Sequence, residues 1–596
     1  MKRIIAALFS FIFLLAALVG LRRHLLARII GISRPRYAVR IERGLHLPMR
    51  DGVTMATDHY APSTAHTQPT ILIRSPYGRH LRASPFGAYL QFVARLFAER
   101  GYHVLVQDTR GRFDSGGDYN PPFDETNDGL DTLAWLDKQP WHNGAVGLWG
   151  PSYLGVVQWA LAPHAPQVKA MMPMVTCTRL QDILLPDGTF DLGLAMRWIA
   201  ILEELEKHKA RPYPHSLMLL TTIEKSLKPA FTHLPISNAE AVATGRSIPY
   251  YHTWMEHASP DDPFWHVLSG SITTAGVRAP VHFVGGWYDF FLRPLLKDYA
   301  ALKAQGQQPH LTIGPYHHFN GMVTPLALRA GLAWFDRHLK NLTPNKRHST
   351  TTRTALQKRE DGGEVNGDDS PVNIYIMGAD EWRAFPDYPP PSDTAELYLH
   401  PDRQLSAAPP MVEQSFDRYT YDPSDPTPIL GGTQFSPRAG AKDNRPLMQR
   451  RDVLAYTSPV LTEPVEIIGA VRLQLYVASS LEYADFFGRL CDVHPNGKAI
   501  NICEGLFRIT PNNSVRAPDG STCIEIDLWS TAYRFQPKHH IRLLLSSGAH
   551  PRWARNLGTG ESLTDATTFK IAEQTIYHDR AHPSHLLLPV TTGRLP

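Results

Sequence analysis

Apolar residues follow two different periodicities in the two halves of the chain. In the first half, the strand-like runs are PTILIRSPYG, YHVLVQDTRG, AVGLWGPS and VKAMMPMVT, and the stretches YLQFVARLFAERG and GLDTLAWLDKQPW between them have helical spacing. Alternating strands and helices indicate βαβ units, and hence a parallel sheet covered by helices on both faces. The pattern predicts the first part of an α/β core over residues 36–177.

The α/β pattern is interrupted and then resumes. Residues 178–275 are poor in strand signals and contain the amphipathic stretch LAMRWIAILEELEKHKARP, so we expect a helical cap inserted into the core. Strands resume with APVHFVGGWYD and PHLTIGPYHH, followed by the helical stretch PLALRAGLAWFDRHLKN. Residues 276–345 are therefore predicted to complete the core.

Beyond the core the apolar period becomes two. Residues 346–371 are polar and have no period, which is typical of a linker. From residue 372 onward, runs such as VRLQLYV and CIEIDLW alternate apolar and polar positions, with frequent turn signals between them. This pattern predicts a C-terminal β-sandwich of jelly-roll type over residues 372–596.

Composition excludes several classes of function. The chain has 60 basic and 56 acidic residues and no basic stripe with interleaved aromatics, so we expect no nucleic-acid partner. Its four cysteines form no C-x-x-C pair, and no H-E-x-x-H motif is present; we predict neither a metal nor a cofactor. Cys491 and Cys503 flank a predicted turn, where a disulfide is the alternative to two buried free thiols.

The stretch GLWGPSYLGVVQW contains a candidate nucleophile, Ser152. In the nucleophile elbow G-x-S-x-G, glycines lie two residues either side of the serine. Gly150 fits, but Leu154 occupies the second glycine position and Gly155 follows it. A strand-like run before Ser152 and a helical run after it still predict a sharp turn, with the Tyr153 amide at a helix N-terminus. The alternative is a serine that merely caps the helix.

Partners for this serine occur in the order expected of α/β-hydrolases, Ser, Asp, His. Asp289 ends one resumed strand, and His317 and His318 end the next. Carboxyl ends of parallel strands form the edge at which such sheets bind ligands. Tyr77 follows an early strand, where its hydroxyl can donate to an oxyanion. Separate structural roles, a helix cap for Asp289 and loop packing for the histidines, are the alternative.

These stretches resemble the cocaine esterase, α-amino-acid ester hydrolase and X-Pro dipeptidyl peptidase family of serine hydrolases. The matching motifs are LPMRDGVTMATDHYAP, RSPYG, QDTRGRFDSGG, WGPSYLG, GGWYDFF, IGPYHH, FDRHLK, GADEWRAFPDYPP and CDVHPNGKAINICEG. The resemblance extends from about residue 40 to the end and implies the same three-part fold. The elbow of this family, G-x-S-Y-x-G, matches Gly150 to Gly155 and implies Ser152 as the nucleophile. The other matching motifs imply Asp289 as the acid and His318 as the base, and the resemblance implies the Tyr77 hydroxyl and the Tyr153 amide as oxyanion donors.

Departures from the family pattern concern the substrate pocket. Relatives that bind an ammonium group place acidic residues shortly after the catalytic Asp, but Phe290 and Phe291 follow Asp289 here. We therefore expect these two phenylalanines to line an apolar substrate pocket beside the triad that favours uncharged acyl or aromatic groups. Asp187 is a lone candidate for such a role, and a surface Asp-Gly turn is the alternative. Asp108 and Arg110 are expected to form a structural ion pair.

Three hypotheses follow for function. We expect a serine hydrolase that cleaves small esters or amides through an acyl-enzyme. Release of X-Pro dipeptides from short peptides by the same groups is the alternative. The third is a non-catalytic, membrane-tethered protein whose β-sandwich binds a ligand.

The N-terminal 35 residues form a separate segment. The uncharged run from Ile4 to Leu21 follows Lys2 and Arg3 and precedes Arg22, and 18 helical residues span about 27 Å, close to a bilayer core. We predict an uncleaved membrane anchor, with a cleaved signal peptide as the alternative. The positive-inside rule weakly favours a cytoplasmic body, whereas an export-type segment before a hydrolase favours a periplasmic or extracellular one.

Overall fold

A computed structural model describes residues 23–81, 83–209, 219–321, 325–340 and 370–596. The predicted membrane anchor and nearly all of the predicted linker lie outside the described residues. Among the residues described, no helix is both long enough and apolar enough to cross a membrane.

The first 340 residues contain alternating strands and helices, as the pattern predicts. The strands are β1 (Val39–Pro48), β2 (Thr54–Pro62), β3 (Gln68–Ser75), β4 (His103–Asp108), β5 (His142–Pro151), β6 (Val168–Met174), β7 (His282–Tyr288) and β8 (His310–His317). The helices outside the predicted cap are α1 (residues 23–30), α2 (Pro85–Ala98), α3 (Glu125–Leu136), α4 (Tyr153–Leu161), α11 (Leu292–Ala304), α12 (His318–Gly321) and α13 (Pro325–Leu339).

One ten-stranded sheet forms the α/β core, with the order β1-β2-β4-β3-β5-β6-β7-β8 followed by two strands that come later in the chain. Strands β3 to β8 pair in parallel, and β1 and β2 form an antiparallel extension at one edge. Strand β4 has all six residues buried, as expected for a parallel strand covered on both faces. The carboxyl ends of β3, β5, β7 and β8 therefore meet at one edge.

The predicted cap is helical. Its helices are α5 (Gln181–Leu184), α6 (Leu192–Lys207), α7 (Leu219–Thr232), α8 (Ala239–Thr244), α9 (Pro249–Glu256) and α10 (Pro263–Ser271). In the described residues of this range no strand occurs. The cap begins directly after β6 and returns the chain to β7, so it covers the carboxyl edge of the core sheet.

The predicted start of the C-terminal domain, residue 372, is wrong for the first two strands. Strands β9 (Val372–Ile376) and β10 (Glu381–Phe385) join the core sheet, where β9 pairs in parallel with β8. A strand has the same period of two in either sheet. The sequence pattern therefore does not show that β9 pairs with β8, which depends on the tertiary structure.

Residues 393–592 form a second, eleven-stranded sheet. Its strands are β11 (Asp393–His400), β12 (Gln404–Ser406), β13 (Phe416–Tyr421), β14 (Leu454–Thr457), β15 (Val465–Ser479), β16 (Ala484–Val493), β17 (Ala499–Ile509), β18 (Thr522–Phe535), β19 (His540–Ser546), β20 (Ala572–Tyr577) and β21 (His585–Thr592). The long strand β15 pairs with β18, β20 and β21, and most pairings are antiparallel. The C-terminal part is thus β-rich, as predicted.

The four cysteines are free thiols in the structure. Cys491 and Cys503 lie on the neighbouring strands β16 and β17 and are both buried, but no bond joins them. The alternative of a disulfide between them is therefore not realised.

Candidate active site

The chain turns sharply at Ser152, between β5 and α4. Ser152 has φ 59° and ψ −129°, a conformation that costs a non-glycine residue free energy. Its N–H donates to the Met174 carbonyl at 2.9 Å, which fixes the turn to the end of β6. The strained turn presents the Ser152 side chain at the carboxyl edge of the sheet, as in a nucleophile elbow.

The two glycines of this turn make room for close packing. A Cβ on Gly150 would lie 2.4 Å from the Leu154 Cβ, and one on Gly155 would lie 2.2 Å from the Thr176 Cγ2. Gly155 therefore allows α4 to pass directly against the chain that leaves β6. The displaced second glycine is explained by this contact, since the close approach occurs at residue 155.

Ser152, His318 and Asp289 form one chain of hydrogen bonds. His318 Nε2 lies 3.0 Å from Ser152 Oγ, and His318 Nδ1 lies 2.9 Å from Asp289 Oδ2. Asp289 Oδ1 also accepts a bond from the Phe291 N–H at 2.8 Å, which fixes the carboxylate. His318 and Asp289 are each 1% exposed, so water is excluded from the chain. His317, the neighbouring histidine, donates its backbone N–H to Asn320 Oδ1 at 2.7 Å, and its ring takes no part in this chain of hydrogen bonds.

Tyr77 lies beside the serine, just after β3. The Trp198 indole N–H donates to the Tyr77 hydroxyl oxygen at 2.9 Å, and Ser152 is the other polar neighbour that acts on this hydroxyl. Burial raises the pKa of Tyr77 to about 12, although the bonds from its neighbours oppose that shift. The phenol is therefore protonated at neutral pH, and the bond from Trp198 leaves its proton available for another acceptor.

Tyr153 offers a second donor, because it is the first residue of α4 and its amide has no acceptor within the helix. The Tyr153 hydroxyl donates to Glu125 Oε1 at 2.9 Å, and Arg74 pairs with the other oxygen of Glu125 at 2.9 Å. Burial raises the pKa of Glu125, and the Arg74 charge opposes that shift. This buried network holds the start of α4 in place.

An apolar pocket opens beside Ser152 and His318. Its lining residues come from the core, the cap and the C-terminal part; they are Pro121, Pro122, Ser152, Tyr153, Val156, Leu180, Ile183, Leu184, Leu194, Ala195, Trp198, Trp254, Trp265, Leu268, Phe290, Phe291, His318 and Phe435. Phe290 and Phe291 flank the His318 ring at centroid distances of 4.5 and 5.4 Å. No carboxylate and no basic side chain besides His318 belongs to this lining in the described chain.

Asp187 does not reach the pocket. Its Oδ1 lies 2.6 Å from Arg293 Nη1, and the side chain is 12% exposed. Its carboxylate is thus paired with a guanidinium outside the pocket lining, which leaves it no free charge for an ammonium group. Its backbone lies in the short turn Pro186–Gly188, as the Asp-Gly turn alternative expects, and its side chain is largely covered.

Asp108 and Arg110 are each in an ion pair, but not with each other. Asp108 pairs with Arg79, whereas Arg110 pairs with Asp128 and Asp51. The structural role is as expected and the partner is not, because β4 ends at Asp108 and Arg110 lies in the turn that follows it.

Sequence reasoning missed three residues of the site. Trp198 on α6 contacts Tyr77, Glu125 on α3 holds Tyr153, and Phe435 packs on His318 at a centroid distance of 5.3 Å. A cap helix rich in apolar residues gives no sign of which one faces the nucleophile. Phe435 lies in an irregular segment with no motif, so no local signal could have found it.

The fold and this site together define a serine hydrolase with an α/β-hydrolase core. Residues 51–320 match the family described as X-Pro dipeptidyl-peptidase (S15 family), and residues 364–587 match the C-terminal non-catalytic domain of X-Pro dipeptidyl-peptidases. The chain is also 33% identical over 591 residues to the cocaine esterase of Rhodococcus sp. (strain MB1 Bresler), covering 91% of this chain and 97% of the esterase. The chain belongs to this S15 family of serine hydrolases, as its motifs predict.

Solved structures show the same fold at lower identity. An α-amino acid ester hydrolase matches with a TM-score of 0.75 and 23% identity, covering 94% of this chain and 98% of the hydrolase. An aminopeptidase from the marine sediment archaeon Thaumarchaeota archaeon matches with a TM-score of 0.75 and 22% identity, covering 93% and 97%. The three-part architecture is therefore shared along nearly the whole chain.

Proposed function

We propose that this chain hydrolyses carboxylic esters whose acyl group is uncharged and apolar, with aromatic acyl groups preferred. The observation that carries the proposal is the pocket, whose wall beside Ser152 and His318 is built from tryptophan, phenylalanine and aliphatic side chains. Such a surface favours an apolar group of matching shape and offers a charged one no partner. The cocaine esterase relationship supports an ester rather than a peptide.

The geometry supports the following mechanism. Ser152 Oγ attacks the acyl carbonyl while His318 Nε2 takes its proton, and Asp289 holds the imidazole through Nδ1. The Tyr77 hydroxyl and the Tyr153 amide donate to the oxyanion. Collapse releases the alcohol, which receives the proton from His318, and leaves an acyl group on Ser152. Water then attacks the acyl-enzyme with His318 as base, which frees the acid and restores the serine.

The decisive experiment combines active-site labelling with a substrate panel. A fluorophosphonate probe should label the wild-type chain and fail on Ser152→Ala, and hydrolysis of an aryl benzoate should be lost in the same variant. Ser63→Ala, which changes an exposed serine after β2, is the matched control and should behave as wild type. Equal labelling of the wild type and Ser152→Ala would overturn the proposal.

Release of X-Pro dipeptides remains the second candidate, because it is the activity for which the family is named. Such a reaction needs an anchor for the free amino terminus of the peptide. The pocket lining has no carboxylate, and the nearby candidate Asp187 is paired with Arg293. Turnover of an Ala-Pro anilide faster than the aryl benzoate would favour the peptidase.

We further propose that residues 4–21 anchor the chain in a membrane. The support comes from the sequence and from α1, where Ala27 and Ile30 are buried while Leu25 and Ile29 are 58% and 61% exposed. An apolar face beside basic residues suits a bilayer surface. Removing residues 1–22 should shift the protein from the carbonate-washed membrane fraction to the supernatant. An unchanged distribution would contradict the anchor.

A further inference from the structure

Three side chains that could bind a metal converge in the C-terminal sheet, and none of them lines the catalytic pocket. Asp492 is the last residue but one of β16, His494 follows in the turn to β17, and His539 directly precedes β19. We call these three residues the Asp492 cluster. One carboxylate oxygen and one ring nitrogen from each histidine all lie within 4.8 Å of one another.

The separations suit a single ion. His539 Nδ1 lies 2.8 Å from Asp492 Oδ2, and His494 Nε2 lies 3.5 Å from the same oxygen. Ligands bonded to Zn²⁺ at about 2.0–2.2 Å in a tetrahedron lie roughly 3.3 Å apart. The two Asp–His distances lie on either side of that value, and no two of the three ligand atoms are more than 4.8 Å apart.

The surroundings provide what a metal site needs beyond its ligands. The Tyr533 hydroxyl donates to Asp492 Oδ2 at 2.8 Å, the oxygen that also faces both histidines, and this bond orients the carboxylate. Asp492 is 1% exposed, whereas the His494 side chain is 36% exposed and gives solvent access from one side. The His494 N–H donates to the Lys498 carbonyl at 2.9 Å, so the turn that carries this histidine is fixed.

We propose that the Asp492 cluster binds one divalent transition-metal ion of the zinc type through His494 Nε2, His539 Nδ1 and an Asp492 carboxylate oxygen. Two imidazoles and one carboxylate are a ligand set that Zn²⁺ accepts, and they leave a fourth position towards solvent. The ion would tie the β16–β17 turn to the turn before β19. The site is independent of the proposed esterase function, since none of its residues lines the catalytic pocket.

Metal content of the full chain tests this site. Metal-free wild type, His494→Asn and His539→Asn are dialysed against micromolar Zn²⁺, and bound zinc is measured by atomic absorption. We expect wild type to bind one equivalent more than either variant. His400→Asn, which changes a partly exposed histidine of β11 in the same sheet, is the matched control and should bind as wild type does.

Two further measurements, Co²⁺ absorption and the Tm with and without Zn²⁺, distinguish a metal site from a hydrogen-bonded Asp-His pair. Co²⁺ should give visible d–d absorption in wild type that is lost in His494→Asn, and Zn²⁺ should raise the Tm of wild type alone. The Tm of His494→Asn without metal reports whether the variant folds. Equal zinc content in wild type and both variants, or no Co²⁺ band in wild type, would overturn the proposal.

Discussion

At the scale of single residues, the orientation of the Tyr77 hydroxyl depends on one cap residue. The Trp198 N–H occupies a lone pair of the Tyr77 oxygen at 2.9 Å, which directs the phenolic proton elsewhere. Because burial raises the pKa of Tyr77 to about 12, the proton itself is retained across the neutral range. In the proposed mechanism, Trp198 is thus a positioning residue that acts through Tyr77.

Trp198→Phe removes this N–H and keeps an aromatic ring in the pocket wall. We expect kcat for an aryl ester to fall about two- to tenfold, the effect of one lost hydrogen bond. Tyr77→Phe should lower kcat roughly a hundredfold or more, because it removes the proposed oxyanion donor itself. Steady-state kinetics on a purified, folded protein measure both.

The control for this prediction is Trp254→Phe, the same change at another lining residue. Trp254 packs on Trp198 at a centroid distance of 5.8 Å. We expect its effect to appear mainly in KM. A kcat for Trp198→Phe equal to that of Trp254→Phe would show that the bond to Tyr77 does not position the donor.

At the scale of elements, the start of the cap is fixed to helix α11 by a buried carboxylate. Asp298 Oδ2 and Oδ1 accept bonds from the Thr178 N–H and hydroxyl at 2.8 and 2.6 Å. Burial raises the pKa of Asp298 to about 7, against the effect of the two bonds from Thr178. At a pH between these two values, the folded protein therefore keeps a proton on Asp298, whereas the unfolded chain, with a pKa near 3.8, has released it.

This difference predicts a pH dependence of stability. Between about pH 4 and pH 7 the folded state binds more protons than the unfolded state, so the contribution of Asp298 to the free energy of unfolding falls as the pH rises. In Asp298→Asn this contribution is absent. We expect the loss of stability from pH 5 to pH 8, measured by urea denaturation, to be smaller in the variant than in wild type.

A matched control is Asp393→Asn, which changes an exposed carboxylate at the start of β11. Its pH dependence should parallel that of wild type. If Asp298→Asn and wild type lose the same stability between pH 5 and pH 8, Asp298 is ionised in the folded protein throughout and the prediction is wrong.

At the scale of the whole molecule, the catalytic pocket is closed by all three parts of the chain. Phe435, from the C-terminal part, packs on His318 and Phe290 at centroid distances of 5.3 and 5.5 Å. It also stacks on Phe319 at 4.9 Å. The C-terminal part thus contributes directly to the wall beside the base.

Phe435→Ala opens that wall to water and removes apolar contact area from the acyl site. We expect kcat/KM for an aryl benzoate to fall about tenfold or more, in line with the loss of one hydrophobic contact in a specificity pocket. Phe569→Ala, at a 45% exposed phenylalanine of the same C-terminal part, should leave kcat/KM unchanged. Similar values for the two variants would show that Phe435 is not part of the acyl site.

Local patterns predicted a large part of this molecule. Strand and helix periods located the core, the cap and the β-rich C-terminal part, because a buried face repeats every two or 3.6 residues. The turn at Ser152 was predictable as well, since a strand, a glycine and a helix start adjoin within a few residues. The first two strands after residue 370 were assigned to the wrong sheet, because pairing partners are not encoded in a strand's own period.

The sequence by itself determined which residues stand at the ends of the core strands, and hence the order Ser152, Asp289, His318. That information is local: each residue follows an apolar run whose end is visible in the chain. The tertiary structure alone decided which side chains converge on them from elsewhere, such as Trp198, 121 residues from Tyr77, and Phe435. Such contacts depend on how whole elements pack, and packing is set by the shapes of surfaces that no single segment contains.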